Sequence, residues 1–302
     1  MSFYRGVWAA SVTPLFADLS IDFANLIKHV RYLLDNGCHG VVLLGTTGEA
    51  NSFSVRERIE LMDMVVDSEL PADRLMIGTG CTAHEDTVTL TRHAALCQFR
   101  GVLLLPPFYY KNVSDDGLYA SINAVADSLG SSCPEIVLYH FPALAGAGFS
   151  HELIARLSSA LGDRIVGVKD STGDASHTAS LIESFPALQI LAGNEVLLPE
   201  VVPIGGAGCI SASVNLTASH SRDVYEALLS SSTEFPEDTM ARIRSIRTSV
   251  SRFPMASSVK SVMSEMAGSN GMTGNVRPPL TATIPDQGLL EIARSLLSDR
   301  KS

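Results

Sequence analysis

Eight short apolar runs, rich in β-branched residues and each closed by Gly, Pro or polar residues, recur along the chain with longer amphipathic stretches between them. They are Val7–Val12, Gly40–Leu44, Leu75–Gly78, Gly101–Leu105, Ile136–Tyr139, Ile165–Lys169, Leu188–Ala192 and Ala207–Ser211. Near-continuous apolar runs are the signature of strands buried on both faces, which occur in parallel sheets covered by helices. The stretches Phe23–Asn36, Ser54–Ser68, Asp86–Gln98, Asp115–Leu129, His151–Leu161 and Ala175–Ser184 carry apolar residues at helical spacing, with Ser54, Asp115 and Ser150 placed as caps. Eight such units predict an α/β fold of the (β/α)8 TIM-barrel type with a C-terminal helical extension. A doubly wound dinucleotide-binding sheet would want GxGxxG opening a helix after an early strand. Here Gly45-Thr46-Thr47-Gly48 is too short, and Gly205-Gly206-Ala207-Gly208 precedes an apolar run. After Thr217 helical patterns take over at Ser221–Ser230, Asp238–Ser251, Ala256–Ala267 and Gln287–Ser298, broken by Pro278-Pro279. The expected division is a barrel over residues 1–220 and a helical segment over 221–302.

The charge balance narrows the partners. With 22 Lys+Arg against 32 Asp+Glu the net charge is −10, and no basic run exceeds two residues, which argues against nucleic acid. No apolar stretch approaches the ~20 residues that span a bilayer, and the opening MSFYRGVWAA lacks the basic and long apolar regions of a signal peptide. No membrane association and a cytoplasmic location are expected. The five cysteines, Cys38, Cys81, Cys97, Cys133 and Cys209, form no CxxC pair and read as reduced thiols, and the histidines supply no HExxH or HxxxH spacing, so no metal site is expected.

In a barrel the residues that end the strands line the catalytic face, so strand endings carry the functional information. Strand two ends in Gly45-Thr46-Thr47-Gly48-Glu49, strand four in Pro106-Pro107-Phe108-Tyr109-Tyr110, strand five in Tyr139-His140-Phe141-Pro142, and strand six in Val168-Lys169-Asp170-Ser171. Lys169 follows an apolar run with the parity of Ile165 and Gly167. If that face is interior, the amine loses its water, and burial favours the neutral form whose lone pair attacks a carbonyl. The competing reading is a lysine that reaches solvent or pairs with Asp170. Tyr139 ends the neighbouring strand and is suited to shuttle protons beside a carbinolamine, though a strand-end Tyr is also a common core aromatic. The Thr46-Thr47 turn offers amides and hydroxyls to a carboxylate; a P-loop would need Lys where Glu49 stands, and Glu49 receives no chemical role. Tyr109 and Tyr110 read as site or interface aromatics, and Gly193-Asn194-Glu195 as a contact for a polar substrate tail or a solvated loop.

Together GTTGE at 45–49, PPFYY at 106–110, YHFPALAG at 139–146, GVKDSTGD at 167–174 and GGAGCISAS at 205–213 resemble the class I pyruvate aldolase family. That family comprises N-acetylneuraminate lyases, dihydrodipicolinate synthases and 2-keto-3-deoxy-sugar-acid aldolases. The resemblance covers essentially the whole chain. It implies a TIM barrel assembled as a homotetramer of two tight dimers, acting on small-molecule 2-keto acid and aldehyde substrates. It implies no metal or organic cofactor, only a covalent imine with substrate on Lys169. By the same resemblance Tyr139 is the acid/base tyrosine, Thr46 and Thr47 bind the pyruvate carboxylate through their amides, and Thr47 relays protons to Tyr139. Tyr109, or Tyr110 beside it, matches the tyrosine sent into a neighbouring subunit's site. Ile210 matches the position whose backbone carbonyl sits near the lysine. Ser171 and Gly193 complete the candidate substrate contacts.

Departures from the pattern sort the subfamilies. The synthases carry an Arg five residues after the tyrosine, where this chain has Leu144, which cannot form a bidentate carboxylate contact. Sialate lyases tend to place an acidic pair after the strand-seven glycine and a serine after the strand-eight motif, where this chain has Glu195, Val196 and Ala212. His140 replaces the usual Asn. The resemblance therefore implies a class I aldolase that cleaves a shorter 2-keto-3-deoxy acid, such as 2-keto-3-deoxygluconate, to pyruvate and an aldehyde. The rival readings are dihydrodipicolinate synthase, N-acetylneuraminate lyase, and a non-catalytic keto-acid-binding oligomer.

Overall fold

In the computed structural model, which describes residues 4–230, 237–267 and 272–298, all eight predicted strands form, each within two residues of the predicted ends. They are β1 (Gly6–Ala10), β2 (Gly40–Leu43), β3 (Leu75–Gly78), β4 (Gly101–Leu104), β5 (Ile136–His140), β6 (Ile165–Asp170), β7 (Gln189–Ala192) and β8 (Gly208–Ser211). All are parallel and close into a barrel in chain order, with β1 returning to β8 through the register Trp8↔Ile210. The helices are α1 (Phe23–Asp35), α2 (Val55–Asp67), α3 (His84–Leu96), α4 (Asp115–Leu129), a one-turn α5 (Pro142–Ala145), α6 (His151–Leu161), α7 (Ala175–Ser184), a one-turn α8 (Leu198–Val201) and α9 (Val214–Leu229). The C-terminal extension follows as α10 (Glu237–Val250), α11 (Met255–Ala267) and α12 (Gln287–Ser298). No helix among the described residues is long and apolar enough to cross a membrane.

Alternation along the strands divides the core. Val7, Ala9, Val41, Leu43, Leu75, Ile77, Leu138 and Val168 face outward into the helix layer. Tyr4, Trp8, Ala10, Val42, Met76, Leu103, Val137, Tyr139, Leu191 and Ile210 fill the interior. Trp8 enters that space because its register partner is Gly40, where a Cβ would lie 2.3 Å from the indole. One expectation needs correction. Lys169 shares the inward parity of Gly167 but not of Ile165, which packs in the outer cluster. A β-bulge accounts for this: the register steps from Ile136↔Ile165 to Val137↔Gly167, so Val166 is the extra residue and the alternation reverses across it.

Caps fix where the helices begin. Ser54 and Glu57 form a capping box on α2, and Ser150 accepts from the Leu153 N–H on α6. The predicted cap Asp115 lies one residue inside α4. Ser114 is the cap, accepting from the Gly117 N–H at 3.2 Å, while Asp115 supplies negative charge to the first turn. The extension has its own apolar seam of Ile246, Val250, Val259, Val262, Leu289 and Ala293, joined to the barrel through Val12 and Leu216.

Candidate active site

The strand C-termini open into a cavity of about 590 Å³, within the ~300–1,000 Å³ usual for small-molecule sites. Thr46, Thr47, Tyr139, Lys169, Ser171, Gly193 and Ile210 all line it. Tyr139 and Lys169 are direct register partners on β5 and β6, and each is 4% exposed. The Lys169 amine lies over the Tyr139 ring, 4.1 Å from its centroid. No carboxylate among the described residues pairs with this amine, so the reading in which Lys169 is spent on Asp170 does not hold. Asp170 points the other way, toward α7, where its carboxylate accepts from the Thr178 hydroxyl at 2.6 Å and the Thr172 N–H at 3.1 Å and lies 3.0 Å from His177 Nδ1. Burial pushes this carboxyl up, but those hydrogen bonds outweigh it and hold it below the usual carboxylate range.

The turn after β2 distributes its two threonines differently from the expectation. The hydroxyl within reach of the Tyr139 phenol is that of Thr46, at 3.3 Å, rather than that of Thr47. Thr47 is buried. Glu49, which the sequence left without a role, closes this turn in a left-handed conformation (φ 55°) with a buried carboxylate. It pairs with the Lys260 ammonium of α11 and accepts the Arg277 N–H at 2.8 Å. Arg277 also bonds Glu57 and the carbonyls of Leu19 and Ser52, with its guanidinium 4.3 Å from the centroid of the Phe53 ring. The extension thus holds the loop that presents Thr46 and Thr47.

Tyr109 and Tyr110 are outside the cavity, both 74% exposed and packed edge to face. His140 faces the helix layer, accepting the Phe149 N–H on Nδ1 at 2.9 Å and stacking on His177. Burial pulls its imidazole below the ordinary histidine range, with Asp170 opposing. His140 therefore supports the site from behind and does not line the cavity wall. Leu144 lines the mouth with an aliphatic side chain, together with Phe253, Met255 and Leu280. Among the described residues two groups bring possible metal ligands close together: His140 with Asp170 and His177, whose atoms are engaged in the bonds above, and Asp63 of α2 with His93 of α3 and Cys97 just after it. The second group includes a His–Cys pair four residues apart, a spacing missed by a search for His pairs alone.

Sequence reasoning also missed Arg247. It lines the cavity from α10, donating through Nη1 to Ser211 Oγ at 3.3 Å and Ser213 Oγ at 3.4 Å. A signal existed. Met240, Ile243 and Val250 are the buried stripe of α10, and Arg247 falls on that stripe at helical spacing, a cation where an apolar residue belongs.

A closed parallel barrel with a buried lysine and tyrosine paired at its mouth is the architecture of the pyruvate aldolases, enzymes that make or break carbon–carbon bonds. The chain belongs to the dihydrodipicolinate synthetase family, whose pattern matches residues 3–296. It is 35% identical over 224 residues to an uncharacterised DapA-like lyase of Chloroflexus aurantiacus, covering 74% of each chain. The crystal structure of dihydrodipicolinate synthase from Agrobacterium tumefaciens superposes with a TM-score of 0.84 at 33% identity, covering 98% of both chains. YagE, a prophage protein of that family from E. coli K12 solved in complex with pyruvate, superposes with a TM-score of 0.86 at 25% identity over 99% of both.

Proposed function

We propose that the protein is a Schiff-base aldolase that reversibly cleaves a 2-keto-3-deoxy acid to pyruvate and an aldehyde, with Lys169 as nucleophile. The observation that carries this reading is the buried Lys169 amine, free of any carboxylate partner among the described residues, facing Tyr139 across one cavity. The Thr46 and Thr47 amides receive the substrate carboxylate and hold C2 near the amine. Lys169 attacks the C2 ketone and water leaves, giving an iminium. Tyr139, having given its proton to the departing water, takes the proton of the C4 hydroxyl. The C3–C4 bond then breaks, its electrons pass into the iminium as an enamine, and the aldehyde departs. Protonation of C3 and hydrolysis of the iminium release pyruvate and restore the amine. In this scheme the Thr46 hydroxyl is the relay to Tyr139, with Ser171, Gly193 and Ile210 lining the substrate's path. The chemistry runs on the covalent imine and calls for no metal or organic cofactor. The exposed Tyr109-Tyr110 pair suits a subunit contact in a homotetramer, with Tyr109 completing a neighbour's site.

The test is intact-protein mass spectrometry after incubation with pyruvate and borohydride, with peptide mapping. One reduced pyruvyl group on Lys169 is expected, and a folded sample with no adduct would end the aldolase reading. The similarity to a dihydrodipicolinate synthase favours a second reading in which the same enamine adds to aspartate semialdehyde. Leu144 weighs against it, because an alkyl chain stands where the synthase pattern has the arginine that holds that aldehyde's carboxylate. A coupled assay with aspartate semialdehyde separates the two.

A further inference from the structure

The cavity wall carries two basic side chains, Lys169 and Arg247, and no acidic one among the described residues. A 2-keto acid bound as an imine at Lys169 brings one carboxylate, which the Thr46-Thr47 turn receives. Arg247 is left over. Arg277, Arg100 and Arg156 sit against the carboxylates of Glu57, Glu135 and Asp116, and Arg58 and Arg74 are taken up by backbone carbonyls. Arg247, partly buried, pairs with no carboxylate among the described residues, and its two long contacts are to neutral hydroxyls through Nη1 alone. Nε and Nη2 make no hydrogen bond to the described protein, leaving the side of the guanidinium fork that binds an oxyanion in bidentate fashion.

The hydroxyls beneath it are oriented for this purpose. Ser211 donates its proton to Glu195 Oε2, and Glu195 is fully buried at the start of the turn after β7. With its proton committed there, the Ser211 oxygen offers only lone pairs to Arg247 and fixes the guanidinium without neutralising it. Ser251, just past the end of α10, lines the same cavity. Leu144 contributes no charge to the wall, so apart from the Lys169 amine its basic group comes from α10.

We infer that Arg247, set on Ser211 and Ser213, is a distal anion anchor. The aldehyde half of the substrate carries an acidic group, carboxylate or phosphate, and the full substrate is a 2-keto-3-deoxy acid with a second acidic end. This rests on the aldolase reading above and changes its substrate class from a neutral polyhydroxylated tail to an anionic one.

The experiment is aldol addition from pyruvate with three aldehydes: succinic semialdehyde with a carboxylate, glyceraldehyde 3-phosphate with a phosphate, and neutral glyceraldehyde. It is run on the wild type, Arg247→Met and Arg247→Lys. The readout is the ratio of kcat/KM for each acidic aldehyde to that for glyceraldehyde. In the wild type one acidic aldehyde should exceed glyceraldehyde by about 10²-fold, the scale of lost charge-assisted hydrogen bonds, and the favoured one distinguishes carboxylate from phosphate. Arg247→Met should bring that ratio close to one, chiefly through KM, and Arg247→Lys should restore part of it, which a purely structural role would not produce. A wild-type ratio near one overturns the anchor whether or not the Met variant folds, as does a Met variant that keeps the wild-type ratio. Borohydride trapping of pyruvate on wild-type Lys169 is measured alongside. Absence of the adduct strikes the aldolase reading, whereas an adduct with no acidic preference strikes only the anchor.

Discussion

Replacing Lys260 by Met tests whether the helical extension governs the Thr46-Thr47 turn. Both side chains of the Lys260–Glu49 pair are fully buried, and Lys260 also donates to the Asn275 carbonyl at 2.9 Å. Burial draws the Lys260 ammonium below the ordinary lysine range while Glu49 pulls it back. Deleting the amine leaves the Glu49 carboxylate in the interior with the Arg277 N–H as its remaining partner. Removing one member of a buried pair typically costs about 3–5 kcal/mol, because the survivor is a charge without water or counter-ion. Against a total stability of about 5–15 kcal/mol that is a severe loss. The pair itself need not stabilise the fold relative to a matched neutral pair, so Glu49→Gln with Lys260→Met should recover most of the loss: the amide still accepts the Arg277 N–H and no charge is buried. Urea unfolding of the wild type, the two single variants and the double variant gives the coupling. Because Glu49 sits three residues after Thr46 in a left-handed turn, the single variants should also raise the KM for pyruvate by about tenfold if the amides of that turn hold the substrate carboxylate as proposed. The reasoning is refuted if Lys260→Met costs less than about 1 kcal/mol, or if the double variant is no more stable than the worse single one.

Tyr139→Phe should still form the pyruvate imine while slowing carbon–carbon cleavage by about 10²–10⁴-fold, and an unchanged rate would remove the phenol from the proton path. Thr46→Val should slow the same step more than Thr47→Val, since only the Thr46 hydroxyl lies 3.3 Å from the phenol; equal effects in single-turnover kinetics would refute that assignment. His29 is buried against Asn215, and desolvation, opposed by that hydrogen bond, holds it at about 4 instead of 6.5. As pH falls below 6.5 the unfolded chain binds this proton and the folded one does not, so stability declines and the loss levels off near pH 4. At about 1.4 kcal/mol per pH unit the contribution of His29 is about 3 kcal/mol, measurable as the difference in pH-dependent unfolding between wild type and His29→Gln, and identical slopes would show that His29 does not titrate this way. Ser54→Ala removes the side-chain half of the α2 capping box, the hydroxyl that accepts the Glu57 N–H, and should cost about 1 kcal/mol, read from a denaturation midpoint.

The eight strands were legible because both of their faces are dry, so apolar character persists along each run rather than alternating. What that uniformity hides is phase. The bulge at Val166 leaves the composition of Ile165–Lys169 unchanged yet swaps the faces of Ile165 and Val166, and only pairing with β5 exposes it. The α4 cap failed for a similar local reason: Ser114 and Asp115 are both competent, and the choice between them is a matter of geometry. Seven of the named site residues converge on the cavity because a barrel places strand C-termini on one face, a rule that applies before any contact is known. Tyr109 escapes it, lying in the loop beyond β4 and facing outward. Glu49, Lys260 and Arg247 escape it differently, since their roles depend on the extension folding back over the barrel mouth, across 211 residues in the case of Glu49 and Lys260. Yet Arg247 lies in line with Met240, Ile243 and Val250, and Lys260 beside Val259 and Met263 on α11, each a cation on an apolar helix surface. Desolvating a cation there is unfavourable unless something anionic meets it. For Lys260 the answering charge is Glu49, in direct contact; Arg247 reaches the buried Glu195 only through the Ser211 hydroxyl, and its guanidinium lines the cavity.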